Sequence, residues 1–556
     1  MNPSRRTTSP FIPYTYPLLA AAKPFLKQLA TQVENRRLKQ EVTALRLEVA
    51  LYKERLGLAN QQRFGRSADD PSDEVQLSLF DEPEAIALEE AVELIIEGPA
   101  SPTAKAKRKR VTEQPDWLSE AEPSRTVRSA LPEAERTCPT CADGTLACFH
   151  VEVTKELLFI PARYEVVRRE REVYECPACK RADRDNTIVR APVPERPAGK
   201  AMATASVISH LIHDKYRMGV PLHRQEKALA DQGIPISRQT MSNWILEATR
   251  RCLLPVVNAL HRALMQEPVL HMDETSVQVL REPGRSPSST SYMWVMASTK
   301  EATPMVVYAY RPSRGADVAD ALLDGFSGTL YCDGYRAYRR VAEDRERNGG
   351  PPILLAGCWA HLRRTFTDAT KLAKGSPTSI AHQGVAHVNR LYHLAEAAWL
   401  AAPAKQEAAW IKVSEQTDTW FDWVRTQQHF ILPKSILGKA LQYAVNQEPF
   451  LRQALKPETQ AIDNNLVERH IRPFVIGRNN WLFSTSPAGA TASAAIYSLI
   501  ETAKANGVNP EAYVTYLLET IPNLTPEETE NLDDYLPWSP QLPEHVGSPG
   551  RRPVSP

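Results

Sequence analysis

Apolar positions along this chain change period several times, and the changes divide it. From Asn35 to about Ala59 they recur in heptads, with Asn35, Val42, Val49 and Leu56 at one seam position and Leu38, Leu45, Tyr52 and Ala59 at the other. The pattern predicts a short coiled coil, in which an asparagine at the seam lowers stability but fixes register and favours a dimer. A lone amphipathic helix packed on its own chain fits the same run. Residues 1–17, rich in Pro, Ser and Thr, read as disordered, so 1–65 is a disordered start followed by the coil. Over 66–137 the periodicity is lost, and an acidic run around Asp81 to Glu90 precedes the basic Lys105, Lys107, Arg108, Lys109 and Arg110. That stretch is a linker, whose basic run is either a solvated tether or a phosphate contact without sequence information.

Helical spacing returns over 196–255. The run "LHRQEKALADQGIPISRQTMSNWILEATR" reads as helix, glycine-containing turn and second helix, a helix-turn-helix pattern. Ser237 is a good N-cap. Arg238, Gln239, Ser242 and Asn243 then lie near the start of the second helix, where recognition helices meet base edges or phosphate; units of this shape also occur as plain packing modules.

Strand patterns follow at roughly 268–279, 291–298 and 304–310, then a helix at 314–325, a strand at 328–333 and a strand–helix unit at 352–370. Three strands, helix, strand, helix, strand is the order of an RNase H-like domain, so the fold class is α/β, with the catalytic domain over 262–485. An Ala-rich helical insertion occupies about 378–456, with Trp399, Trp410, Trp420 and Trp423 spaced as core aromatics. "DNNLVERHIRP" predicts a short helix capped by Asp463 or Asn464 and kinked or stopped by Pro473. A helical C-terminal domain over 490–540 and a disordered tail over 541–556 complete the chain.

A length of 556 residues fits several domains. The net charge of +1 excludes a uniformly basic coat but leaves local basic clusters for phosphate. Among eight cysteines, Cys138-Pro-Thr-Cys141 and Cys176-Pro-Ala-Cys179 form two C-P-x-C pairs, the donor set of a closed tetrahedral structural Zn²⁺ site, which makes 138–180 a zinc-binding module. The alternating segments "VEVTKELLFI" and "RYEVVRREREVYE" between them predict a zinc-ribbon-like hairpin, whose Arg163, Arg168, Arg169 and Arg171 face phosphate or form a cross-strand charge ladder with Glu165, Glu170 and Glu172. No secretory signal, membrane-length apolar run or nucleotide phosphate loop is present in the sequence, and a cytoplasmic protein is expected.

Three acids stand where strands or helices present a carboxylate: Asp273 in "VLHMDETSV", Asp333 in "TLYCDGYRAY" and Glu468 in "NNLVERHIRPFVIGRNNWLF". Carboxylate oxygens suit Mg²⁺ or Mn²⁺, and a pair of such ions can hold the attacking and leaving oxygens of an in-line phosphoryl transfer. Asp273 falls on the first strand and Asp333 at the end of the fourth, neighbours in the expected mixed sheet. For Asp333, before Gly334, a plain turn role is the competing reading; for Asp273, inside an apolar strand, an unpaired charge is costly unless it binds metal or a partner.

Taken together, the heptads, "QQRFGRSADD", "QLSLFDE", the paired cysteines, "HMDETSV", "YCDGYRAY", "GCWAHLRRTF", the Glu468 segment, "ETAKANGVNPEAYV" and "LPW" resemble a transposase of the insertion sequence 66 family over nearly the whole chain. The resemblance implies a DDE-type recombinase with Asp273, Asp333 and Glu468 as its catalytic, magnesium-holding acids, acting by cleavage at the element's ends and strand transfer. Cys358 and His361 of "CWAH" match a further family motif. The chain departs from the family pattern at Asn479, in place of Lys, and Ala142, in place of Gly. Arg469, Arg472 and Arg478 join Arg238, Gln239 and Asn243 as DNA-binding candidates. Implied partners are terminal-repeat and target DNA, further copies of the chain and small accessory proteins of the same element, with association to the nucleoid when DNA is bound. Two alternatives use the same features: a catalytically silent DNA-binding regulator derived from a transposase, and an RNase H-like repair or replication nuclease.

Overall fold

The computed structural model describes residues 163–176, 188–372, 379–459 and 461–547, with isolated positions between 126 and 153. The heptads, the linker's charge runs, Cys138, Cys141 and Cys179 lie outside the described residues. Two compact units are present: Glu82–Val193, and a second that takes the chain from Pro194 onward.

In the first unit, β1 (Val173–Glu175) pairs antiparallel with β2 (Ile188–Arg190). The run expected to form a hairpin arm is shorter than its alternation suggests, because residues 163–172 carry no regular strand. Val166 and Val167 are exposed, so that stretch has no apolar face to bury against a partner. Among the described residues its charges pair along the chain, Arg163 with Glu165 at 2.8 Å and Arg168 with Glu170 at 2.6 Å.

The second unit opens with α1 (Ala205–Tyr216), α2 (Leu222–Asp231) and α3 (Arg238–Ala248). Ser237 caps α3, its Oγ accepting from Thr240 N at 3.2 Å, and Gly233 turns the chain out of α2 with a φ of +79° that favours glycine. A π-helical turn, Thr249–Leu253, leads into α4 (Leu254–Leu264).

A five-stranded mixed sheet forms the centre of an α/β fold. Its strands are β3 (Val269–Gln278), β4 (Thr290–Ser298), β5 (Val306–Arg311), β6 (Gly328–Cys332) and β7 (Ile353–Gly357), in the spatial order β5-β4-β3-β6-β7. The first three strands are antiparallel neighbours, whereas β6 runs parallel to β3 and β7 parallel to β6. Helices α5 (Ala316–Leu322) and α6 (Arg336–Asn348) make the two crossovers, and α7 (Trp359–Leu372) follows β7. Element order and strand positions agree with the sequence pattern to within a few residues.

The insertion comprises α8 (Ile380–Trp399), α9 (Pro403–Gln428) and α10 (Ile436–Gln453). Its tryptophans pack as core: Trp420 is fully buried and stacks on Trp423 with centroids 5.1 Å apart, and Trp399 meets Trp410 edge-on. The insertion is bonded to the sheet's end. Trp359 Nε1 donates to Leu451 O at 2.9 Å, and Tyr331 Oη donates to Ala454 O at 3.2 Å and to Ala461 O.

Helix α11 (Asn465–Trp481) runs through Pro473, where the sequence predicted a short helix. Proline removes one intrahelical donor. Burial of Val467, Ile471, Phe474 and Val475 keeps the helix continuous across it, and Tyr308 Oη donates to His470 O in the turn before the proline.

Helix α12 (Pro487–Ala505) covers the edge strand β5. Thr502 Oγ1 accepts from Val306 N and donates to Val306 O, both at 3.0 Å, and Ser498 Oγ accepts from Tyr308 N at 2.8 Å. A helix rich in alanine lets the backbones approach, and the hydroxyls satisfy an edge that would otherwise hold bare donors and acceptors. α13 (Pro510–Thr520) packs on α1, with Ser209 Oγ donating to Glu511 O at 3.0 Å. Within the stretch expected to be disordered from 541, Val546 is buried and its carbonyl accepts from Asn509 N at 3.1 Å. No helix among the described residues is long and apolar enough to cross a membrane.

Thr502→Val preserves shape and removes the hydroxyl, leaving both Val306 backbone groups unpaired. A loss of about 1–3 kcal/mol is expected in equilibrium denaturation; unchanged stability would mean that water or a neighbour already satisfies the edge.

Candidate active site

Parallel pairing sets the level of the first two acids. His271 on β3 pairs with Tyr331 on β6, and Asp273 and Asp333 each lie two residues beyond that pair. The His271 and Tyr331 rings stack at 4.7 Å, so they share a face of the sheet, and the period-two pleat returns Asp273 to the same face. Each carboxylate has one oxygen engaged locally: Asp273 Oδ1 accepts from Glu274 N and Asp333 Oδ1 from Tyr335 N, both at 2.8 Å. The turn role expected for Asp333 as an alternative therefore coexists with its place beside Asp273. A Cβ on Gly334 would meet Gln447 Nε2 at 2.8 Å, so α10 lies against the turn that presents Asp333.

Burial pushes the Asp273 carboxyl well above the ordinary range, and the charges of Glu274, Asp333 and Glu468 add to it. Glu274 itself belongs to the other face. Its Oε1 takes Arg314 Nη2 at 2.5 Å and its Oε2 takes Tyr338 Oη at 2.8 Å, while Arg314 lies over the Tyr335 ring at 3.7 Å. A buried carboxylate paired with a partly exposed guanidinium thus backs the strand opposite Asp273.

Glu468 stands in the first turn of α11. Its carboxylate is turned toward α7, with Oε1 3.6 Å from His361 Nδ1 and Oε2 3.5 Å from Arg364 Nη2. Its charge is felt at Asp273. The nearby acid Asp463 is otherwise engaged: Oδ1 accepts from Asn465 N at 3.0 Å, and Oδ2 from Asn465 Nδ2 at 3.0 Å and Tyr392 Oη at 2.8 Å. Asp463 caps the helix, and Asn464 does not.

Asn464, fully buried, joins three segments instead. Its Nδ2 donates to Met272 O at 3.0 Å, its Oδ1 accepts from His271 Nδ1 at 3.0 Å, and its backbone N–H donates to Cys358 Sγ at 3.2 Å. The amide orientation assigns the His271 proton to Nδ1; burial lowers the pKa of that ring to about 4, keeping it neutral. Sequence reasoning missed Asn464 and His271 as site residues. A histidine inside the apolar run "VLHMD" was the available signal, whereas Asn464 was indistinguishable from an ordinary cap.

The remaining candidates are dispersed. Arg238, Gln239 and Asn243 are exposed on α3, with Gln239 Nε2 donating to Asn243 Oδ1 at 3.0 Å. On α11, Arg469 is exposed and Arg472 half-buried. Arg478 Nη1 donates to Ser276 O and lies 3.4 Å from Thr275 Oγ1, bonding the far end of α11 to β3. Cys176, just after β1, is the described member of the cysteine quartet.

Comparison with known proteins accounts for most of the chain. The family model described as "Transposase IS66 family" matches residues 200–492, the IS66 C-terminal element matches 498–538, and the zinc-finger binding domain of transposase IS66 matches 135–180. An uncharacterized protein, y4jD, of Sinorhizobium fredii (strain NBRC 101917 / NGR234) is 30% identical over 416 residues, 73% of this chain and 79% of the relative. A second from the same strain, y4hP, is 24% identical over 512 residues, 89% of this chain and 88% of its own. No solved structure matches. The chain belongs to the IS66 family of transposases.

Proposed function

We propose that this transposase cuts DNA at the ends of an insertion sequence and joins them to target DNA with Asp273, Asp333 and Glu468 as its catalytic acids. The observation that carries the reading is the level placement of Asp273 and Asp333 on adjacent parallel strands, with Glu468 close enough to raise the Asp273 pKa. Strand order β5-β4-β3-β6-β7 with its antiparallel and parallel halves supports an RNase H-like domain.

The chemistry of the donor set fits a hard divalent cation. Two carboxylates with oxygens outside the local hydrogen bonds, one of them held at a raised pKa by burial and by its acidic neighbours, are relieved by a positive charge. Asp273 and Asp333 would hold Mg²⁺ or Mn²⁺, which supplies activation of an attacking water or DNA 3′-hydroxyl and charge neutralisation at the leaving oxygen. Asn464 holds the start of α11 to β3, so the third acid keeps its position relative to the first. Exposed Arg469, beside Glu468 in sequence, is suited to a backbone phosphate, as is Arg472.

The α2–α3 pair supports a helix-turn-helix reading, with Arg238, Gln239 and Asn243 presented at the start of α3 to terminal DNA. Four thiolates from Cys138, Cys141, Cys176 and Cys179 suit structural Zn²⁺. Self-association through the heptads, small accessory proteins and a cytoplasmic, nucleoid-associated location complete the proposal.

Asp273→Asn, Asp333→Asn and Glu468→Gln are each expected to lower Mg²⁺-dependent cleavage of labelled end DNA at least about 10³-fold, non-additively, while end binding persists. Asp463→Asn should retain chemistry; the reverse pattern for Glu468 and Asp463 would reassign the third acid. Full cleavage by Asp273→Asn would overturn the mechanism and leave the regulator reading.

In chelator, Asp273 binds its proton more tightly folded than unfolded. Its contribution therefore favours the fold at acid pH and is lost as pH rises through the raised pKa. Asp273→Asn should melt above the parent at pH 8, with a smaller gap at pH 4; a gap that narrows with rising pH contradicts the assigned shift.

Joint change of Arg238 and Gln239 to Ala should weaken binding to end DNA about tenfold or more with the melting temperature unchanged. Equal affinity across a salt series would make α3 a packing helix.

A further inference from the structure

At the far end of α11 from Glu468, Leu482 is the one residue other than glycine with a positive φ among the described residues, at φ +67° and ψ −51°. Phe483 N donates to Trp481 O at 2.9 Å. Leu482 is therefore the centre of a three-residue γ-turn of the rare, strained hand. Such a backbone persists only where its surroundings fix it, and this one is fixed on both sides. Leu482 N donates to Arg478 O at 2.6 Å, Ser484 N to Gln278 O at 2.9 Å and Leu280 N to Ser484 O at 3.0 Å. The Trp481 ring meets buried Phe474 edge-on, with centroids 5.6 Å apart.

What the turn displays is apolar. Leu482 is 65% exposed and Phe483 41%, while the polar Ser484 that follows them is buried. A lone exposed leucine carries no meaning; two large apolar side chains held out by a strained, pinned turn point to something that covers them. The adjoining segments say what. Exposed Met218 lies in the α1–α2 loop, where a Cβ on Gly219 would come within 2.8 Å of Asn480 Nδ2, and Arg281 N donates to Thr485 O at 3.1 Å. Residues 217–220, 278–281 and 476–485 contain Arg217, Arg281 and Arg478, exposed Asn479 and Asn480, and no acid. An apolar tip among guanidinium and amide groups, with no carboxylate in these segments, matches a polyanion with flat apolar faces.

We propose that Leu482 and Phe483 form a wedge that enters the base stack of bound DNA, with Arg217 and Arg281 on the flanking phosphates. Apolar side chains inserted at a base step part it and kink the duplex, and an aromatic ring takes the face of a base so exposed. The wedge lies fourteen residues beyond Glu468, roughly 20 Å at 1.5 Å per helical residue, or about six base pairs of duplex. It rests on the reading that this chain acts on DNA, and deepens it by giving the distortion of that DNA a place and two side chains.

The test uses the full chain and a duplex of the element's own terminal sequence, with 2-aminopurine at one position at a time and a chelator present so that no strand is cut. Parent protein should brighten one or two positions several-fold, within about six base pairs of the cleavage position. Leu482→Ala and Phe483→Ala should each lose the brightening and weaken binding about fivefold or more, whereas Phe483→Trp keeps both. Leu482→Gly, which relieves the backbone, should melt no lower than the parent and still lose the brightening. Parent binding with no brightened position, or Phe483→Ala with parental brightening and affinity, overturns the wedge and leaves the cleavage reading standing. Melting of Leu482→Gly below the parent would make Leu482 a packing residue and also overturn it. Loss of self-association by Phe483→Ala in sedimentation, with DNA binding and brightening unchanged, would assign the patch to a second copy of the chain instead. A parent that does not bind the duplex at all removes the DNA reading and the wedge together.

Discussion

A single buried amide sets the geometry on which the acidic face depends. Asn464 reaches β3 through Met272 O and His271, and reaches the start of α7 through Cys358 Sγ. Each of these groups is out of water, and an unmade bond there costs about 1–3 kcal/mol. The helix carrying Glu468 cannot shift along the strand carrying Asp273 without breaking several at once. Pairing of neutral groups makes this joint insensitive to the charges it holds together, because His271 stays uncharged at physiological pH.

Those charges oppose assembly. Burial, and then the charges of Glu274, Asp333 and Glu468, raise the proton affinity of Asp273, and the fold manages this by sorting. Successive residues on β3 face opposite sides, so Glu274 is neutralised by Arg314 and Tyr338 behind the sheet while Asp273 keeps its carboxylate on the α11 side. What remains is a concentrated negative site, open to a cation and hostile to phosphate in its absence.

The insertion acts as a brace for the same region. Leu451, Ala454 and Ala461 accept hydrogen bonds from Trp359 and Tyr331, Tyr392 holds Asp463, and α10 lies against Gly334. At the opposite edge, Ser498 and Thr502 of α12 close β5. Segments far apart in the chain thus stiffen both flanks of the strands that present the acids.

From the sequence alone came the order of strands and helices, the places of Asp273 and Asp333 in it, the Ser237 cap and the core role of the insertion's tryptophans. All of these follow from local period, caps and turn residues, which act over a few positions and leave their mark in the string itself. Tertiary structure alone decided that α11 continues past Pro473, since burial of its apolar face outweighs one lost hydrogen bond. It also decided that Asp463 caps while Asn464 ties, that Glu468 turns toward Cys358 and His361, and that Arg478 bonds to β3. Each of those outcomes depends on a partner dozens to hundreds of residues away, and side-chain type near a helix start does not say which distant group it will meet.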